Sequence, residues 1–292
     1  MKFGCHLPIW GPGATREALI TLARRVEAMG FDSVWASDHI VIPTEIRSRY
    51  PYNATGDFPL PPTANFLEPL TALAVVAGAT ERLQLGTTVL VLPHRHPVLA
   101  AKALATLDHL APGRVILGAG VGWMREEIEL LGAPYDQRGA WTDEAIRIMR
   151  ACWQSERVSF RGRFFSFPEV GFAPRPARGI PIWIGGHTPR ALRRVAELGD
   201  GWHAAFASPA TMREGVAKLR EACAKVGRDP ASITLSVRMG FAAKRSSSEA
   251  LAELQALREV GVGHVVVETR VTDVEDSTRI LERFASEVRA KL

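Results

Sequence analysis

The chain is poor in cysteine. Cys5, Cys152 and Cys223 are the only three in 292 residues. Their odd number and wide spacing argue against a disulfide framework and suit a reducing cytoplasm. No apolar run approaches the roughly 20 residues that span a bilayer, and the opening MKFGCHLPIW holds no hydrophobic stretch of signal-peptide length. Several signatures are also missing. No G-x-G-x-x-G follows the first apolar run, which disfavours an open dinucleotide-binding sheet. There is no G-x-S-x-G elbow for a Ser-His-Asp hydrolase and no H-E-x-x-H. No aromatic-basic motif or recognition-helix pattern appears, so nucleic acid is not an expected partner. Without an internal repeat, low-complexity tract or interdomain linker, residues 1–292 are expected to form one domain.

What is present is ordinary for a globular protein: 47% hydrophobic and 23% charged residues. The net charge of +5 comes from arginine. It serves either solubility or attraction of an acidic ligand.

Short apolar runs alternate with helical stripes from end to end. Strands are predicted at Lys2–Leu7, Ser33–Ala36, Leu83–Val91, Arg114–Ala119, Ile180–Ile184, Trp202–Ala204, Ile233–Val237 and His264–Val267. The first helix is capped by Thr15, striped by Leu19, Leu22, Ala23 and Val26, and stopped at Gly30. Pro69 and Pro97 open the next two, the latter with Leu99, Ala103, Leu104 and Leu107 facing inward. Trp141, Ala145, Ile146, Met149 and Cys152 stripe the fourth. Thr188-Pro189 and Ser208-Pro209 open the fifth and sixth, the sixth carrying Met212, Val216, Leu219 and Val226. Capping boxes Ser246/Glu249 and Thr272/Glu275 open the seventh and the last, the last carrying Ile280, Leu281, Phe284 and Val288. Near-continuous apolar strands are those of a parallel sheet covered on both faces. Eight strands and eight helices predict a (β/α)₈ TIM barrel. It carries one insertion after strand two, Val41–Phe66, expected as a lid, and a hairpin before strand five, Glu156–Arg178.

A barrel keeps its chemistry at the C-terminal strand ends. Six of the eight histidines fall near those ends; His109 and His264 do not. Asp38-His39 ends strand two. His39 is a candidate acid–base group, and Asp38 either touches a ligand or holds the lid backbone; the pair could equally be a helix cap and a core histidine. Gly185-Gly186-His187-Thr188 forms a glycine turn leading into a capped helix, either an anion site or a plain βα turn. Gly118–Gly122 could lie flat against a ring or simply pack tightly. His94-x-His96 invites a metal reading, but no carboxylate-rich constellation supports it and no metal is expected.

Together these segments resemble the luciferase-like monooxygenase superfamily of flavin- or deazaflavin-dependent barrels. The resemblance rests on GFDSVWASDH (Gly30–His39), RLQLGTTV (Arg82–Val89) and ATLDHLAPGRVILGAGVGW (Ala105–Trp123). It extends through EEIELLG (Glu126–Gly132), RGAWTDEAI (Arg138–Ile146), PIWIGGHTPRA (Pro181–Ala191) and GDGW (Gly199–Trp202), nearly the whole chain, and looks nearest to the F420-dependent branch. It implies a hydride-transferring oxidoreductase or monooxygenase using F420, or alternatively FMN, on a small organic substrate, and working as a homodimer. Asp38 and His39 would be the cofactor-contacting aspartate and active-site histidine. Thr88-Val89 would be a bulge behind the ring with a non-prolyl cis peptide. Gly120, Val121 and Gly122 would meet the ring's polar edge, and Gly185, Gly186, His187 and Thr188 would take the phosphate. Arg47, Arg49, Arg190, Arg193 and Arg194 would suit the acidic tail of F420 if they lined one rim. Two departures matter: Trp123 stands where F420-dependent dehydrogenases place a catalytic glutamate, and Pro43 where they place a tryptophan. Glu126 and Glu127 are candidate substitutes. A flavin-binding protein without turnover, and a metal-dependent hydrolase using His94 and His96, are the alternatives.

Overall fold

A computed structural model describes residues 1–292. Its strands are β1 (Lys2–His6), β2 (Ser33–Ala36), β3 (Gln84–Thr87), β4 (Leu90–Val91), β5 (Val115–Gly120), β6 (Arg157–Arg161), β7 (Ser166–Gly171), β8 (Ile182–Gly185), β9 (Gly201–Ala205), β10 (Thr234–Gly240) and β11 (His264–Glu268). Eight of them close a parallel barrel in the order β1, β2, β3, β5, β8, β9, β10, β11. Closure is direct: β11 pairs with β1, Lys2 opposite His264 and Cys5 opposite Val267. Every residue of β5 and of β11 is buried, as strands covered by helices outside and packed side chains inside require.

The helices are α1 (Arg16–Ala28), α2 (Pro69–Ala77), α3 (Pro97–Leu110), α4 (Arg125–Leu130), α5 (Arg138–Gln154), α6 (Pro189–Leu198), α7 (Pro209–Lys225), α8 (Ser247–Glu259) and α9 (Val274–Arg283). Proline at the first turn opens α2, α3, α6 and α7, where the missing N–H would lack a partner anyway. Thr15, Thr188 and Ser208 cap α1, α6 and α7 through side-chain oxygens. Inside the barrel, Trp35 stacks on His203 at 4.9 Å and on Trp183 at 5.4 Å, sealing the floor beneath the C-terminal mouth. No helix is long and apolar enough to cross a membrane.

Both expected insertions are present: a long loop between β2 and α2, and the antiparallel β6–β7 hairpin before β8. Four expectations are corrected. Leu99 is 63% exposed, because alanines, Ala100, Ala101 and Ala105, form the buried stripe of α3 together with Leu104. Val226 is exposed beyond the end of α7. Asp273, not Thr272, caps α9, accepting from the Asp276 amide at 2.9 Å. The third strand is split, with Thr88-Val89 bulging between β3 and β4.

Candidate functional site

A cavity of about 590 Å³ opens at the C-terminal ends of the strands. One wall is the bulge, whose Thr88–Val89 peptide is cis. It is held from behind: His203 Nε2 lies 2.9 Å from the Thr88 hydroxyl, His203 Nδ1 lies 2.9 Å from the Ser236 hydroxyl, and Arg238 donates to the Thr88 carbonyl at 3.1 Å. Val89 packs between two glycines. A Cβ on Gly120 would lie 2.3 Å from Val89 Cγ2, and one on Gly185 would lie 2.9 Å from Val89 Cγ1. Only glycine lets the strands close onto this side chain. The result is an apolar wall at Val89, bordered by Gly120, Val121, Gly122, Gly185 and Gly186 along the same cavity.

A buried network adjoins it through Val91. Both oxygens of Asp38 are engaged, by Arg95 at 2.6 and 2.9 Å and by the Val91 amide at 2.8 Å. Burial alone would push this carboxyl up; the Arg95 guanidinium, with His94 beside it, more than reverses this and holds it below the usual carboxylate range. His94 is buried between two carboxylates, 3.7 Å from Asp38 and 3.6 Å from Glu127. Glu127, wholly buried, takes His39 Nδ1 at 2.7 Å and the amides of Ile40 and Val41 at 2.7 and 3.1 Å. His39 Nε2 has no partner within the protein, and the ring lines the cavity.

The loop after β2 covers this arrangement. Tyr50, Tyr52, Phe58, Leu60 and Phe66 face inward, Phe58 and Phe66 lying 4.9 and 5.2 Å from the His39 ring. The N-terminal turn of α4 clamps the loop: Glu126 accepts the amides of Arg47 and Ser48 at 2.8 and 3.1 Å, and Ser48 accepts the Arg125 amide at 3.0 Å. The remaining wall carries Phe206, Arg238, Glu268 and Arg270, with Arg238 and Glu268 paired at 3.0 Å.

Of the residues singled out in the sequence, Asp38, His39, Thr88, Val89, Gly120, Val121, Gly122, Gly185 and Gly186 line this one cavity. His187 and Thr188 do not. Both are exposed on the rim beyond it; His187 Nε2 lies 3.1 Å from the Ala205 carbonyl and the Thr188 hydroxyl caps α6. The arginine rim is not formed, since Arg193 and Arg194 both turn onto Asp143 and Arg194 is buried. His94 and His96 diverge as well, His96 capping α3 at the surface. Sequence reasoning missed Arg95, Arg238, Glu268, Arg270 and the lid aromatics, and left Glu127 as one of two candidates. The signal for Glu127 was its place five residues past the Gly120–Gly122 loop, on a turn that returns toward His39.

Comparison with known proteins accords with this geometry. Residues 1–287 match the family described as luciferase-like monooxygenase. An uncharacterised protein of Mycobacterium tuberculosis is 33% identical over 282 residues, 94% of this chain and 95% of its own. A phthiodiolone/phenolphthiodiolone dimycocerosates ketoreductase of Mycobacterium bovis is 33% identical over 237 residues, 78% of this chain and 62% of its own. An F420-dependent secondary alcohol dehydrogenase solved with an F420-acetone adduct shares the fold at a TM-score of 0.80 and 20% identity, covering 99% of this chain and 98% of that one. A monooxygenase from Streptomyces bottropensis shares it at 0.79 and 21% identity, covering 100% and 99%.

Proposed function

Because the chain belongs to the luciferase-like monooxygenase family, we propose that it is an oxidoreductase moving a hydride between F420, or alternatively FMN, and a small organic substrate. The observation that carries this reading is Val89, seated between Gly120 and Gly185 in the cavity that His39 also lines. A flat ring fits there: the wall is apolar, backbone amides edge it, and a Cβ on Gly120 would displace it. Gly186, at φ +102, turns the chain into the N-terminus of α6, where free amides and the helix dipole suit a phosphate. F420 is preferred over FMN because the secondary alcohol dehydrogenase that shares this fold is F420-dependent.

Bound there, the cofactor supplies the redox chemistry, and the protein supplies orientation and electrostatics. Glu127 accepts from His39 Nδ1, so Nε2 gives or takes a proton at the substrate oxygen. Asp38, its oxygens held by Arg95 and Val91, is a positioning residue. The aromatic lid excludes water. The same reading takes the chain as one domain working in the cytoplasm, paired with a second copy.

A flavin-binding protein without turnover is the second reading, favoured by Trp123 standing where F420-dependent dehydrogenases place a glutamate. Titration of the purified protein with F420 and FMN, followed by absorbance and fluorescence, tests the first. Failure of both to bind below about millimolar concentration would overturn it. Binding without hydride transfer to any acceptor would favour the second.

A further inference from the structure

The lid rings Tyr50 and Phe58 pack against Trp123 and form an aromatic face beside His39. Trp123 lies 5.3 Å from Tyr50 and 5.6 Å from Phe58, and Tyr50 and Phe58 lie 5.5 Å apart. All three rings line the cavity, and Trp123 and Phe58 also reach the His39 ring, at 6.1 and 4.9 Å. Trp123 is fixed from outside, its carbonyl accepting the Tyr135 hydroxyl at 3.1 Å. Faces and edges of this kind hold flat apolar bodies, and gain little from flexible or strongly hydrated ones.

Charge points the same way. Near His39 both carboxylates are already matched, Asp38 by Arg95 and Glu127 by His39, and on the Phe206 wall Arg238 is matched by Glu268. An ionised substrate group would be desolvated at this end without a counterion. The one cavity-lining guanidinium without a carboxylate partner, Arg270, is exposed and stacks over Phe206 at 5.1 Å, on the wall that also carries Arg238 and Glu268. Burial pushes the Tyr50 hydroxyl up, which agrees with poor hydration at that ring.

We propose that the substrate is an uncharged carbonyl compound or the corresponding alcohol, with an aromatic or conjugated body packed against the cavity face of the Tyr50, Phe58 and Trp123 cluster and its oxygen at His39 Nε2. This rests on the redox reading above and deepens it by naming the substrate class. The oxygen is the one polar atom such a compound needs, and Nε2 is the one unpartnered polar atom that His39 offers.

Ligand-detected NMR and calorimetry on the purified protein, with and without F420 or FMN, test this with three probes: acetophenone, acetone and glucose 6-phosphate. Acetophenone is expected to bind about tenfold or more tightly than acetone, and Trp123→Ala and Phe58→Ala each to weaken it by about tenfold. Phe58 lies on the lid loop, so that variant leaves the barrel intact if Trp123→Ala fails to fold. Binding of glucose 6-phosphate or acetone as tightly as acetophenone would overturn the proposal, as would unchanged acetophenone binding in Phe58→Ala. Cofactor titration of the same samples separates the two ideas. Cofactor binding without acetophenone selectivity sinks the substrate class alone, whereas acetophenone selectivity without cofactor binding sinks the redox reading and leaves the aromatic face as a binding site.

Discussion

Nδ1 of His39 lies 2.7 Å from Oε2 of Glu127, whose other oxygen accepts the Ile40 and Val41 amides. One buried side chain therefore orients the imidazole and pins the start of the lid. An ionised carboxylate only accepts, so Nδ1 carries the hydrogen and Nε2 faces the cavity. Histidine ¹⁵N NMR should show His39 as a single Nδ1–H tautomer when neutral, and as a mixture in Glu127→Gln. Turnover in that variant should fall by about 10²-fold, the low end of what a positioned acid–base group contributes, while cofactor affinity stays near wild type. A wild-type His39 protonated at Nε2 would defeat this assignment.

Asp38 and Arg95 form a pair that is almost out of solvent, their side chains 0% and 10% exposed. Asp38→Asn leaves the guanidinium with only the partly exposed Glu68, 3.6 Å away, as a counterion, and breaking a buried pair from one side typically costs about 3–5 kcal/mol. Urea unfolding should register a loss of that order. Asp38→Asn combined with Arg95→Met should be less destabilised than the two single changes added together, because the second change removes the stranded charge. Strict additivity would mean that the two residues act independently.

Gly120→Ala tests the wall. The new Cβ would lie 2.3 Å from Val89 Cγ2, so Val89 must move into the space assigned to the ring. Cofactor affinity should fall by about tenfold or more, as for a loss of roughly 1.4 kcal/mol or more, with circular dichroism showing the barrel retained. Gly186→Asp should also abolish binding, by setting a carboxylate against the phosphate. Wild-type affinity in either variant would remove the corresponding part of the site.

Much of the barrel was legible because parallel strands and their helices are written locally. Apolar runs, first-turn prolines and capping hydroxyls each act within a few residues, and Ser33–Ala36 was read to the residue. The α3 stripe misled because Leu99 is larger and more apolar than Ala100 and Ala101, yet the crowded face admits the alanines. The site was half legible. The Asp38-His39 dipeptide and the glycine loops stand out by composition. Glu127 meets His39 across 88 positions, and in sequence it reads as a helix-start carboxylate answering the dipole. The Arg238–Glu268 pair joins two strands whose other residues look like plain barrel core, so only register brings it into view.

Acid stability should be set by histidines rather than by carboxylates. His6, His203 and His264 each have their pKa lowered from 6.5 to about 3. Burial is the main cause in each, with Arg238 adding to it at His6, His264 and Arg238 at His203, and Lys2 at His264. The unfolded chain takes up these protons near 6.5, whereas the folded protein refuses them until about 3. Between those limits the unfolded state binds more protons, so stability must fall as pH falls, by up to about 1.4 kcal/mol per pH unit for each histidine. Urea midpoints should therefore drop between about pH 7 and about pH 5, before the ordinary carboxylate range is reached. His264→Gln removes one of the three, and its hydrogen bond to Ser33 is 2.9 Å long in the wild type. That variant should be less stable at neutral pH but lose stability more slowly on acidification. A wild-type midpoint that is flat or rising over this window would show that at least one of these rings is protonated inside the folded barrel.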